Sequence, residues 1–396
     1  MSGFSHFGWT RKACYLGYVT QSICINFAPL LFLTFQQDFA VSLGQISLLI
    51  GINFAVQLLS DMTVGGIARR IGLRRAAVTA QLIAAVGLVS LAVLPYLLPS
   101  PFAGLLIAVL LCGIGGGCNE VLISPIIEAC PGDGKAGSMS MLHSFYCWGQ
   151  AGVILLAVCF FALFGIKHWP VLSCLLALLP LLGALLFTAV PLVQPAEEEG
   201  GTALRHLFRS PAFLWCLLLI FCGGAAEMVM GQWASAFAEM GLGVSKTVGD
   251  LLGPCFFAVM MGSSRILYAK IATRVSLLLT VILSAALCIF SFLLAALCPV
   301  PLIALLACGL CGLSVGVFWP GTYSLAAARI PLGGVPMFAL LAIAGDAGCL
   351  LGPSAAGAIA DRMGGDIRFS FLLTALLPVA ILLCAARLWL LSKKKK

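Results

Sequence analysis

The chain of 396 residues is 62% apolar and only 9% charged, with a mean hydropathy of +1.12. A soluble protein of this length needs far more polar surface, so most of its side chains must face lipid or other apolar helices. The net charge of +8 does not point to a nucleic acid, because the basic residues cluster in short loops and at the chain ends without forming a basic face.

A helix needs about 20 apolar residues to cross a bilayer. Runs of that kind fall at 13–35, 43–64, 76–98, 102–128, 138–165 and 169–192, and again at 212–237, 248–268, 275–297, 301–326, 335–359 and 368–391. The expected fold is therefore all-α and integral to the membrane, with twelve transmembrane helices in two pseudo-symmetric bundles. The first bundle is placed at 1–193, a solvated linker at 194–210 and the second bundle at 211–396.

Span 1 follows Arg11 and Lys12 and reads as an uncleaved first helix. With span 2 it is rich in amides, and Gln21, Asn26, Asn53 and Gln57 are candidates to line a solute cavity. Asp61 sits near the end of span 2. After it comes the basic stretch Gly65-Gly66-Ile67-Ala68-Arg69-Arg70-Ile71-Gly72-Leu73-Arg74-Arg75.

Span 4 carries Gly113, Gly115, Gly116 and Gly117, small residues that let a neighbouring helix approach closely. Asn119 and Glu120 follow. An acid inside the membrane is costly to hold charged, so Glu120 is a functional candidate by default. Burial favours its neutral form, which suits a group that loads and releases protons. In span 5, His143, Tyr146 and Gln150 share one face. Tyr146 and Gln150 offer hydrogen bonds to a hydroxylated solute.

The linker holds Glu197-Glu198-Glu199 and then Arg205 and Arg209. Beyond it, span 7 places Glu227 between glycines and carries Trp233. Span 10 carries Trp319 and Tyr323, and span 11 has Asp346 at its centre. Glu120, Glu227 and Asp346 are the candidates for proton coupling. Trp233, Trp319 and Tyr323 are candidates for the solute cavity.

The basic stretch has a weak copy, because Ile67-Ala68-x-Arg70-Ile71 aligns with Ile271-Ala272-x-Arg274-Val275 at an offset of 204. Cys112-Gly113-Ile114 is echoed by Cys308-Gly309-Leu310, and Gly149-Gln150-Ala151-Gly152 by Gly345-Asp346-Ala347-Gly348, both at 196. One six-helix unit used twice, with a site between the halves, is the outline of a secondary transporter. The offset of 204 pairs Asp61 with Arg265. Charges at such helix ends, including Arg69, Arg70, Arg74 and Arg274, are candidates for gating.

With the amino terminus in the cytoplasm, 18 basic residues fall inside and 4 outside, as the positive-inside rule requires. Both termini are thus expected in the cytoplasm. The short loops and the absence of Asn-x-Ser/Thr sites suit a bacterial inner membrane.

Gly65 to Arg74 resembles the signature that follows span 2 in the major facilitator superfamily, with Arg69 where an acid is usual. A related Gly-x-Ile-Ala-Asp-Arg-x-Gly stands at Gly357 to Gly364. Within that family the chain is similar to fucose-permease-like proton symporters. The features are Gly117-Cys118-Asn119-Glu120 with Pro125, Phe35-Gln36-Gln37-x-Phe39, Glu227 and Trp233, while Pro29 stands where that branch has an acid in span 1. The resemblance implies proton-coupled uptake of a small polar solute such as a sugar, by a monomer in the lipid bilayer.

Proton-antiport export of amphipathic compounds is the alternative, disfavoured by a span 5 without proline. An enzyme is disfavoured because no nucleophile–base set or phosphate loop is visible and the four histidines are scattered. The seventeen cysteines lie mostly in apolar runs without metal-ligand spacing, so no metal or cofactor is expected.

Overall fold

The computed structural model describes residues 7–131, 135–193, 204–271, 275–330 and 334–393. Among these residues there is no strand, and twelve helical segments are long and apolar enough to cross a membrane. The chain divides into two compact units, Met1–Glu197 and Glu198–Lys396, each with six spans. Residues 194–203 of the expected linker lie outside the described residues, and Leu204–Arg209 is a short helix.

In the first unit, span 1 (Phe7–Phe39) is a helix over Phe7–Asn26, a 3-10 turn over Ala28–Leu31 and a second helix over Phe32–Phe39. Pro29 has no N–H to give to the turn before it, which accounts for the change of pitch. The helix of span 2 (Leu43–Ile71) starts at a capping box in which Ser42 and Gln45 bond each other's backbone N–H. It does not stop at the basic stretch. Helix runs to Ile71 and resumes at Leu73 as span 3 (Leu73–Leu97), so the expected connector shrinks to Gly72, at φ +90°. Only glycine adopts that φ without strain.

Span 4 (helix Pro101–Ala129) opens with Ser100 as cap and proline at its first position. Span 5 follows as the helix Lys135–Phe164, and span 6 (Ile166–Ala189) is broken at Ala177, three residues before Pro180.

The second unit repeats this plan. Span 7 (Pro211–Gly241) ends in a π-helical turn at Phe237–Gly241, and span 8 (Lys246–Tyr268) contains another at Leu251–Cys255, around Pro254. Span 9 is Leu277–Leu297. Span 10 (Pro301–Ala326) breaks at Gly316 and Val317 before Pro320, and span 11 is the helix Gly334–Arg362. Span 12 (Ile367–Leu391) breaks at Ala375, three residues before Pro378. Spans 6 and 12 therefore carry the same proline-induced break at the same place. Pro180 and Pro378 each fail to donate to the carbonyl four residues back.

Lipid gives helices no hydrophobic reason to associate, so close backbone packing must do that work. A Cβ on Gly115 would overlap the backbone of Ala84, and one on Gly348 the carbonyl of Phe221. Span 3 thus lies hard against span 4, and span 7 against span 11. At the span ends, arginines satisfy carbonyls that have no helical partner. Arg74 donates to the carbonyls of Phe187, Thr188 and Val190 at 2.7, 2.7 and 2.8 Å. Arg368 donates to those of Gly241 and Cys298, both at 2.9 Å.

Candidate functional site

In the first unit the amides of span 1 meet the acid of span 4. The bundle places Glu120 half-buried, and Gln21 Nε2 donates to its Oε2 at 2.5 Å. One turn further along span 4, Ser124 Oγ lies 2.7 Å from the Tyr18 hydroxyl and donates to the Glu120 carbonyl. Asn119, 0% exposed, faces span 3 instead, where its Oδ1 accepts from Gln81 Nε2 at 3.1 Å. Gln81 Oε1 in turn accepts from Thr20 Oγ1 at 3.1 Å. Two adjacent polar chains, Thr20–Gln81–Asn119 and Gln21–Glu120, therefore tie spans 1, 3 and 4 together. Each leaves a buried polar atom without a hydrogen-bond partner, Asn119 Nδ2 in one and Gln21 Oε1 in the other.

The other candidates of this unit are spread more widely. Asn26 Nδ2 reaches the Tyr146 hydroxyl at 3.3 Å, linking spans 1 and 5, and also bonds the Ser22 carbonyl. Gln57 donates to Asn53 within span 2, so these two amides satisfy each other in part. Gln150 is buried beside Gly149, which packs against Ser22 and Val19 of span 1. Arg69 and Arg70 are exposed on the last turn of span 2. Arg74, another of the gating candidates, caps the carbonyls at the end of span 6. The side chain of Asp61 and all of Arg274 lie outside the described residues.

In the second unit, Glu227 is 3% exposed and its Oε1 stands 3.8 Å from Nη2 of Arg265. Glu227 Oε2 is buried without a hydrogen-bond partner. Arg265, expected only as the counterpart of Asp61 in gating, is thus drawn to an acid of span 7. Asp346 is half-buried on span 11, next to Gly345, whose position packs against the Trp319 ring. Trp319 and Tyr323 lie with ring centroids 6.3 Å apart. Trp233 is 1% exposed and spends its indole N–H on the Pro353 carbonyl at 2.9 Å, so it packs span 7 against span 11.

Two groups escaped the sequence reading. Gln81 was visible as the lone amide in an apolar span 3. Asp250, 1% exposed, accepts from Ser235 Oγ at 2.5 Å through Oδ1, and its Oδ2 is ion-paired with Lys246 at 3.0 Å, with Glu239 also 3.5 Å from Lys246. This cluster joins spans 7 and 8 between the two π-helical turns, a kind of helix defect common at functional positions. Its position so close to the start of span 8 hid it among ordinary loop charges.

None of the curated proteins matches the chain. Its fold is similar to that of the nucleoside transporter NupG, with TM-score 0.78 at 13% identity over 96% of this chain and 98% of that one. It is also similar to a D-xylose–proton symporter, with TM-score 0.77 at 14% identity over 97% and 98%. The E. coli fucose:proton symporter follows at TM-score 0.65 and 17% identity, over 96% and 98%. At such identities the likeness establishes the fold alone. The sequence itself matches one family model over residues 14–335, the span of most of both units. With its twelve spans and its repeated six-helix plan, the chain belongs to the Major Facilitator Superfamily.

Proposed function

We propose that this transporter works by alternating access between its two bundles, 1–193 and 211–396, and couples the uptake of a small polar solute such as a sugar to protons, with Glu120 as carrier. It is a transporter and not an enzyme. The Gln21–Glu120 hydrogen bond carries the proposal. An amide donor aimed at a carboxylate stabilises its charged form, whereas a low-dielectric surrounding stabilises the neutral form. A carboxyl held between these opposing effects can exist in both protonation states, as a carrier must.

The names of the similar structures support the substrate class, since two are proton symporters of sugars and one carries nucleosides. The distribution of basic residues supports both termini in the cytoplasm of a bacterial cell.

The test is transport by the purified protein in liposomes with an imposed pH gradient. For one proton per solute, each pH unit should support about tenfold accumulation. Glu120→Gln should abolish that accumulation and leave solute exchange largely intact. Unchanged accumulation would remove Glu120 as the carrier.

A further inference from the structure

We infer that the turn between spans 2 and 3 is a binding site for an anionic phospholipid, whose phosphate is held by Arg69, Arg70 and Arg75 and whose glycerol lies in the notch at Gly66. The inference is independent of the solute and of its coupling to protons.

Length is the first observation. The helix of span 2 has 29 residues and runs about 43 Å, against about 30 Å for the hydrocarbon core and about 40–45 Å for a bilayer with its headgroups. Such a helix fills the whole bilayer, so its last turn, with Arg69 and Arg70, lies at headgroup depth. Arg75 follows on the first turn of span 3, across the single residue Gly72. The second observation is that this end of the helix faces outward. From Met62 to Ile71 only Val64 and Ala68 are buried, in a small apolar cluster with Ala76, Ala80 and Leu122. Third, Leu59, Met62, Gly66 and Arg70 recur at helical spacing on one face. Leu59 is 59% and Met62 65% exposed, and a Cβ on Gly65 or Gly66 would meet nothing within 4 Å. The face therefore presents an apolar stretch, an open notch and a cation in that order. A phospholipid presents acyl chain, glycerol and phosphate in the same order.

Charge selects the headgroup. Arg69, Arg70, Arg74 and Arg75 put four positive charges within seven residues, and the chain holds no acid from Met62 to Asn119. Asp61, the acid before them, stands about 12 Å along the helix from Arg69. Arg74 is committed to the carbonyls of span 6. The other three arginines are exposed, and among the described residues no acid forms an ion pair with them. A zwitterionic headgroup brings a cation of its own to this cluster, whereas a headgroup of net negative charge does not. Guanidinium groups bind phosphate oxygens through paired hydrogen bonds. Basic residues beside a span draw anionic lipid by about fivefold each.

The experiment titrates the purified full chain, in a neutral detergent, with phosphatidylglycerol or with phosphatidylcholine of the same acyl chains, and reads bound lipid by native mass spectrometry. Phosphatidylglycerol should bind at least about tenfold more tightly. Glutamine at Arg69, Arg70 and Arg75 together should lower it to the phosphatidylcholine level, and lysine at the same three positions should retain part of the preference. The same loss of charge elsewhere, through Lys394→Gln, Lys395→Gln and Lys396→Gln, should change binding little. Gly66→Leu keeps every charge and fills open space without displacing a neighbour. It should weaken phosphatidylglycerol severalfold and leave the thermal midpoint where it was. Equal binding of the two lipids overturns the inference, as do equal losses in the arginine and lysine variants or unchanged binding in Gly66→Leu. Displacement of the lipid by glycerol phosphate at similar concentration overturns the assignment to a lipid. A preference that appears only after Glu197, Glu198 and Glu199 become glutamine gives the arginines to the linker and overturns the inference too.

Discussion

Gln21 and Glu120 lie 99 residues apart in sequence and meet through a 2.5 Å bond between the amide Nε2 and carboxylate Oε2. The bond crosses from span 1 to span 4, beside the Thr20–Gln81–Asn119 chain that makes the same crossing by way of span 3. The two polar chains thus begin and end on neighbouring residues of the same two helices.

The first expectation is a measurable coupling between these two side chains. Hydrogen bonds to charged groups contribute about 1.5–3 kcal/mol. Gln21→Leu should lower stability by that order in the native background and by much less when Glu120 is already Leu. A thermal or denaturant double-mutant cycle reads the difference. Additive effects would mean that the bond contributes nothing.

Gln81 should be among the most sensitive positions of span 3. It is 0% exposed, and Gly183 of span 6 also packs against its amide. Gln81→Leu would leave the Thr20 hydroxyl and the Asn119 Oδ1 without this partner, at about 1–3 kcal/mol each. The variant should unfold well before the native chain, and an unaltered thermal midpoint would contradict the network.

Arg74 should matter to the first unit as a cap on span 6. It grips three carbonyls but is itself exposed, so solvent screening limits its contribution to about 1–2 kcal/mol. Arg74→Ala should lower the thermal midpoint by a few degrees. Arg74→Lys should recover only part, because an ammonium lacks the fork that reaches several oxygens. Equal stability of the Ala and Lys variants would exclude the capping role.

The Lys246–Asp250 pair makes a different prediction, because one member is nearly inaccessible and the other is 22% exposed. Lys246→Met leaves the buried carboxylate without its cation and should destabilise the second unit. Asp250→Asn keeps an acceptor for Ser235 and should partly rescue that variant, with a coupling of about 1–3 kcal/mol. If the double variant is no more stable than Lys246→Met alone, the pair is not coupled.

Span number, the two-unit division and the main acids were legible from the chain itself. These properties are local: about 20 apolar residues suffice to define a crossing, and an acid inside such a run is conspicuous because its burial is costly. The echo of Cys112-Gly113 in Cys308-Gly309 likewise needed no coordinates. The basic stretch misled in one respect. Whether a polar helix end frays into a loop or stays helical depends on its cap, and here Gly72 alone makes the turn while Arg74 holds the end of span 6.

Pairing was decided only by the folded bundles. An internal repeat assigns equivalent places to Asp61 and Arg265 but says nothing of contact, and the fold brings Arg265 to 3.8 Å from Glu227, 38 residues away in sequence. Gln81 gained its meaning from the closeness of spans 3 and 4 at Gly115, and Asp250 from the π-helical turns that flank it. The sequence by itself determined how many helices cross the membrane and which residues cannot rest there unpartnered, because hydropathy and the cost of buried charge are properties of each segment. Which partner each one found was settled by tertiary structure, since hydrogen bonds and ion pairs act over a few ångströms and only helix packing brings distant residues that close.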